Sequence, residues 1–330
     1  MTFQQVELGR TGIMVPQLAF GAMSFGGMFG PTDEETSHAC LDAAIAGGIT
    51  FWDTANIYGM GVSETVIGRY LAARKPQGIR IATKASIIGG PERRVDNSYT
   101  YLRAELEASL DRLGLDSVDL FYAHRHDQET PIEEVAETMG RLIDEGLTRS
   151  YGLSEVAPST VRRAHPVRPV TAVQNEYSLW TRQPELGLIQ TCAELGVSFV
   201  AFSPLARGML GETSVRREDM RPGDFRLNNP RFMEPNFARN LSRVAAFRAW
   251  CQGKGWTVAG TALAWVMAQG RHVIPIPGTR TGAHLGEWLD AGHIRLGPQE
   301  LAEIAEILPV GWAWGDRYGD HQLHSIERYC

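Results

Sequence analysis

Short apolar runs alternate with amphipathic stretches along the whole chain, a pattern that predicts repeated strand–helix units. The strands expected are Gln17–Gly21, Thr50–Asp53, Ile79–Lys84, Val118–His124, Arg149–Leu153, Ala172–Asn175, Ser198–Ser203 and Val273–Pro277. Within them Asp119–Ala123 and Ser198–Phe202 are almost unbroken apolar runs, as expected of parallel strands covered on both faces by helices. Helical spacing is expected over Ser63–Ala73, Tyr99–Leu113, Glu185–Leu195, Leu241–Lys254, Val258–Gln269 and Glu300–Leu308. Two further helices are announced by capping boxes, in which Thr32 or Thr130 is followed three residues later by Glu35 or Glu133. Pro131 suits the first helical position, and Ile132, Val135, Met139, Leu142 and Ile143 follow at helical spacing.

Roughly eight such units, with no shift in composition between them, predict one domain over residues 1–330: a closed (β/α)8 barrel. Gln4–Leu8 and the following Gly9-Arg-Thr-Gly12 predict a short hairpin plugging the barrel floor. Between the seventh and eighth strands lies Thr213–Pro235, rich in Arg, Pro and Asn; a segment of this kind is usually functional or mobile.

Composition narrows the function. Over 330 residues the chain is 43% hydrophobic and 21% charged, enough for a large core. A net charge of -6 argues against nucleic-acid binding, and Arg93-Arg94 and Arg216-Arg217 read as isolated loop pairs. No apolar stretch approaches the roughly 18 residues that span a bilayer, and the N-terminus does not read as a signal peptide. Cys40, Cys192, Cys251 and Cys330 are widely spaced, three of them in expected helices, which points to a reducing, cytoplasmic setting without zinc or disulfides. No Gly-x-Gly-x-x-Gly follows the first strand, so a dinucleotide would need another mode of binding.

In a barrel of this kind the strand ends at the C-terminal face build the active site. Strand two ends at Asp53 with Tyr58 just beyond, strand three at Lys84 and strand four at His124. One mouth thus receives a carboxylate, a phenol, an ammonium and an imidazole. Each alone is commonly structural; together they describe acid–base chemistry on a carbonyl. The Lys84 charge is expected to lower the Tyr58 phenol from its ordinary value near 10, Asp53 to hold Lys84, and His124 to orient the carbonyl oxygen. Arg125-His126-Asp127 read as loop residues flanking the pocket rather than metal ligands, because adjacent strand residues point to opposite sides. Trp312 and Trp314 are expected to pack against the barrel.

Asp53-Thr-Ala-x-x-Tyr58-Gly, with Ser63-Glu64 and Gly68, then Thr83-Lys84 and Tyr122-Ala-His124-Arg125, resembles the aldo-keto reductase superfamily. The likeness continues through Leu18–Met23, Gly152–Glu155, Val173–Leu179, Ser203–Gly208 and Ile276–Arg280. Among subgroups, the chain is most similar to bacterial and fungal reductases that end in Gly315-Asp-Arg-Tyr318 and are related to potassium-channel β subunits. The resemblance implies Tyr58 as acid/base, Asp53 and Lys84 as its tuning pair, and NADPH, rather than NADH, bound extended without a Rossmann fold. Ser154 and Gln174, with Glu155 nearby, would hold the carboxamide and Phe202 would stack on the nicotinamide. Ser203, Pro204, Leu205, Arg207 and Gly208 would follow the pyrophosphate, and Gly278, Thr279, Arg280, His284 and Glu287 the adenosine end. Gly21, Ala22, Met23 and Asp53 complete that set. Phe25, Met28, Ile57 and Ile87, with His126 as a polar contact, are the expected substrate wall.

The chain departs from the family pattern at three places. Trp288 stands where many relatives carry Asn, offering an indole for adenine; Phe202 replaces the commoner Tyr or Trp; and Gly278-Thr279 replaces Lys-Ser. NADPH preference therefore rests on Arg280, helped by Arg216 or Arg217. Reduction of an aldehyde or ketone to an alcohol, or the reverse reaction, is the leading expectation. A regulatory subunit that binds nucleotide without turnover is the alternative; a glycosidase would need a carboxylate pair drawn from Asp53, Glu64, Glu155 and Glu176. The sequence carries no indication of an oligomer.

Overall fold

In the computed structural model, which describes residues 3–90, 94–323 and 325–329, eight parallel strands form a barrel. They are β1 (Phe20–Gly21), β2 (Phe51–Asp53), β3 (Arg80–Ala85), β4 (Leu120–Ala123), β5 (Tyr151–Ser154), β6 (Ala172–Glu176), β7 (Ser198–Phe202) and β8 (Val273–Ile276). Neighbours in sequence are neighbours in the sheet, as right-handed strand–helix–strand connections require. The ring closes where Ala19 and Gly21 donate backbone hydrogen bonds to Pro275 and Pro277, at 3.0 and 2.8 Å. The fold is a (β/α)8 barrel.

The barrel is filled, not hollow. Phe51, Ala82, Leu120, Tyr122, Ala172, Val200 and Ile274 project inward and form one apolar cluster with Val6, Leu8 and Val15 of the N-terminal hairpin. That hairpin pairs Gln5–Glu7 with Met14–Pro16 and seals the floor, as its sequence predicts. A second, larger cluster lies between the strands and the helices outside them.

Helices α1 (Glu34–Ala46), α2 (Val62–Arg74), α3 (Tyr99–Leu113), α4 (Ile132–Asp144), α5 (Pro158–Ala164), α6 (Leu188–Leu195), α7 (Asn236–Lys254) and α8 (Val258–Met267) surround it. Both expected capping boxes are corrected. Asp33, not Thr32, caps α1, accepting from the Thr36 amide at 2.7 Å. Before α4, the Asp127 carboxylate takes the Thr130 amide and hydroxyl, and Pro131 rather than Thr130 is the cap residue. At α1 a neighbouring carboxylate takes the amide, whereas at α4 the Thr130 hydroxyl is donated to Asp127 and no side chain caps the helix. Cys40, Cys192 and Cys251 are buried, unpaired helix residues; Arg93 and Cys330 lie outside the described residues. Among the described residues no helix is long and apolar enough to cross a membrane, and no cluster of metal-ligating side chains occurs.

Candidate active site

Gly26 and Gly59 fix where Tyr58 stands. The loops after β1 and β2 touch so closely that a Cβ on Gly26 would lie 2.5 Å from the Tyr58 carbonyl carbon, and Gly59 takes a left-handed φ of 62°. Beyond them, α2 packs on α3 with Gly68 against the Arg112 carbonyl, where a Cβ would approach to 2.1 Å. Glu64, wholly buried, holds Arg112 at 2.7 Å and the Thr83 hydroxyl. Gly68 and Glu64 therefore build the frame and take no part in the cleft.

On that frame the four strand-end groups meet. Lys84, fully buried, donates to the Asp53 carboxylate, to the Thr54 carbonyl at 2.7 Å and to the Tyr58 hydroxyl at 3.5 Å. The second Asp53 oxygen accepts from the Gln174 amide at 2.8 Å. The Tyr58 and His124 rings stand nearly perpendicular, centroids 5.9 Å apart. Burial works against the Lys84 charge, yet Asp53 and Tyr58 more than offset it and hold the ammonium above its ordinary range. Burial pushes the Asp53 carboxyl up, opposed by Lys84 and Gln174.

For Tyr58 the expected downward shift is reversed. Loss of water raises the phenol above its ordinary value, and the Lys84 charge offsets only part of this. The ring is partly exposed along the cleft while its hydroxyl sits back against Lys84, so the group is a protonated phenol with a cation ready beside it.

A cleft of about 670 Å³ runs from this point across the barrel mouth. Ile57 and Ile87 line it beside Tyr58; Met28, Ser154, Gln174 and the part-exposed face of Phe202 follow; and Thr279, Arg280, His284 and Glu287 line the far end. Between them runs 203–208, in which Ser203, Ala206 and Arg207 all take positive φ near 50–56°. Three strained non-glycine residues in one loop mark a backbone held for a purpose. Gly21, Met23, Pro204, Leu205, Gly208 and Gly278 also line the cleft. At Gly278 a Cβ would meet the Gly21 carbonyl at 2.5 Å, so the floor needs glycine there.

Four expected residues lie away from the cleft, and two more line it with side chains largely packed or paired within the protein. Ala22 and Phe25 are buried, with Phe25 packed against Phe20. The His126 ring is taken up by Glu327 at 2.9 Å and the Thr130 carbonyl at 2.8 Å, away from the substrate wall. Glu155 is buried, holding Arg317 and the Glu176 amide. Arg207 borders the cleft but spends its guanidinium on Glu176 at 3.0 Å and the Arg317 carbonyl at 2.7 Å. Trp288 lines the cleft, although its side chain is 1% exposed and packs near Phe20. Glu64, Glu155 and Glu176, all buried in ion pairs, do not line the cleft, so none of them is placed to pair with Asp53 as a glycosidase would require.

Two segments join the cleft without a periodic signal. The insertion folds into short 3-10 turns, and its Phe225 amide donates to the Met28 carbonyl at 3.2 Å, tying it to the β1 loop. The C-terminal tail returns over the mouth: Tyr318 and Gln322 line the cleft, and Glu327 accepts from the Ala157 amide and the Thr160 hydroxyl. Trp312 packs on Trp180 and donates to the Leu179 carbonyl, whereas Trp314 is half-exposed under Arg239.

Comparison with known proteins gives the same picture from outside. The model of the Aldo/keto reductase family matches residues 17–309. The chain is 38% identical to "Probable aldo-keto reductase 1" of Glycine max, covering 99% of this chain and 95% of that protein. It is 37% identical to an aldo-keto reductase of Schizosaccharomyces pombe whose name specifies NADP(+), covering 92% of each. Among solved structures, a glycerol dehydrogenase from Gluconobacter oxydans superposes with a TM-score of 0.84 at 28% identity, covering 93% of this chain and 96% of that one. The chain belongs to the aldo/keto reductase family and is an oxidoreductase.

Proposed function

We propose that the protein reduces an aldehyde or ketone to its alcohol with NADPH, using Tyr58 as the proton donor. The observation that carries this reading is the buried contact of Lys84 with both Asp53 and the Tyr58 hydroxyl at one end of an elongated cleft. The cleft's own features fit a dinucleotide. It has glycine at Gly278 where a side chain would not fit, a part-exposed aromatic wall at Phe202, amide and hydroxyl groups at Gln174 and Ser154, and an exposed cation at Arg280. Bound there, NADPH would supply the hydride that the carbonyl carbon receives.

The chain's residues supply the rest. His124 directs the carbonyl oxygen toward Tyr58, whose hydroxyl gives that oxygen its proton as negative charge builds on it. The Lys84 ammonium stabilises the phenolate left behind, and Asp53 keeps Lys84 charged and aimed. Solvent reprotonates the phenolate before the next turnover. In the oxidative direction the same phenolate would accept the alcohol proton. Arg280 would face the 2′-phosphate and favour NADPH over NADH. The buried helix thiols suit a cytoplasmic protein.

Steady-state NADPH consumption with a panel of aldehydes, ketones and sugars tests the proposal. Turnover with at least one carbonyl class is expected. Tight nucleotide binding with no turnover across the panel would instead favour a nucleotide-binding regulatory subunit.

A further inference from the structure

Two buried arginines line the cleft, and only one of them has an anionic partner. Arg207 is matched by Glu176 at 3.0 Å. Arg125 is 6% exposed, and among the described residues no carboxylate lies within ion-pair distance of it. Its Nη1 donates to the His124 carbonyl at 2.6 Å and to the Ser154 hydroxyl at 3.2 Å, while its Nε is buried with no partner. Glu155 feels the Arg125 charge but is paired with Arg317. Glu155 and Glu176 are already shared among Arg207, Arg231 and Arg317, so four guanidinium groups, Arg125 included, face two carboxylates. A buried guanidinium without a counter-charge is costly unless something supplies one.

Its position says what could. Arg125 follows His124 directly, and both line the Tyr58 end of the cleft, where Tyr318 and Gln322 from the C-terminal tail add polar groups. We infer that Arg125 receives a carboxylate carried by the carbonyl substrate, so that aldehyde acids or keto acids are the preferred substrate class. An arginine fork with a donor to spare suits a carboxylate. The carbonyl would lie between Tyr58 and His124, with its acid group a short chain away at Arg125. The chemistry stays balanced as in the neutral case: one hydride to carbon, one proton from Tyr58 to oxygen, and the carboxylate unchanged. This inference rests on the reductase reading above.

The test uses matched pairs with the NADPH-loaded enzyme: carboxybenzaldehyde against benzaldehyde, and succinic semialdehyde against butanal. In each pair the wild type is expected to show the higher kcat/KM for the acid. Arg125→Met should lower the acid-to-neutral ratio about 10- to 100-fold, and Arg125→Lys should recover part of it. Calorimetry with the unreactive acid benzoate on NADP-saturated enzyme gives a readout without turnover; binding is expected in the wild type and lost in Arg125→Met. Equal kcat/KM within the wild-type pairs, or an equal fall of both members in Arg125→Met, would overturn the inference and leave the reductase reading intact. Failure of every neutral and acidic carbonyl to oxidise NADPH would overturn both.

Discussion

At the Tyr58 end of the cleft the polar groups are buried and hold one another: Asp53 is bound by Lys84 and Gln174, and Lys84 by Asp53, Thr54 and Tyr58. At the opposite end Arg280 and His284 stand exposed, and among the described residues His284 pairs with its near neighbour Glu287. The first end is fixed before any ligand arrives, which suits stabilising charge at a reacting atom. The second is a set of solvated side chains on short turns, suited to grasping a charged group and letting it go. Damage at the first end should therefore cost stability and rate together; damage at the second should cost affinity alone.

The contrast is sharpest at Lys84. Lys84→Met leaves the Asp53 carboxylate buried without its cation and should destabilise the fold by about 3–5 kcal/mol, read as a lower urea midpoint, along with a severe loss of kcat. If Lys84→Met unfolds at the wild-type midpoint, the buried end is not pre-built as described. Arg280→Ala should leave the midpoint unchanged, weaken NADPH roughly 10-fold and barely alter NADH, measured by fluorescence titration. Equal losses for both nucleotides would remove the 2′-phosphate role.

The pH behaviour should divide the same way. Because burial keeps the Tyr58 phenol above its ordinary value, reduction should run undiminished through neutral pH. It should fall only as pH rises through that raised value; a decline in kcat/KM set by Tyr58 between pH 6 and 8, ordinary titration range of histidine, would contradict this. The smallest effect concerns the tail. Burial disfavours charge on His126, but Glu327, the Thr130 carbonyl and Asp127 outweigh it and raise the imidazole above its ordinary value. That contribution is full below the unfolded imidazole value and is lost as pH rises through the raised one. Hydrogen exchange at the Glu327 amide, which bonds the Glu155 carbonyl at 3.1 Å, should quicken over that interval. Glu327→Gln should flatten the dependence, an effect of about 1 kcal/mol.

The strand ends were readable because topology decides them. Once Asp53, Lys84 and His124 close consecutive parallel strands, the barrel brings them to one mouth. What escaped depends on neighbours distant in sequence. The acidity of Tyr58 follows from desolvation, which a spacing of residues does not reveal. His126 looked free to face substrate until Glu327, 201 residues later, captured it. Arg207 and Glu155 fit a cofactor motif by position, yet their side chains turn to Glu176 and Arg317. Trp288 offered an indole in sequence, and how little of it is exposed depends on core neighbours such as Phe20. Tyr318 and Gln322 lie in a tail with no repeating apolar period, so their place at the cleft had no sequence signal beyond the motif itself.

Single-turnover hydride transfer in Tyr58→Phe, preloaded with NADPH and mixed with the best carbonyl, tests the central claim most directly. The expected result is nucleotide affinity close to wild type and a rate lower by about 10²–10⁴-fold, the loss that follows removal of a positioned proton donor. A wild-type rate in that variant would show that the phenol beside Lys84 is not the group that protonates the carbonyl oxygen.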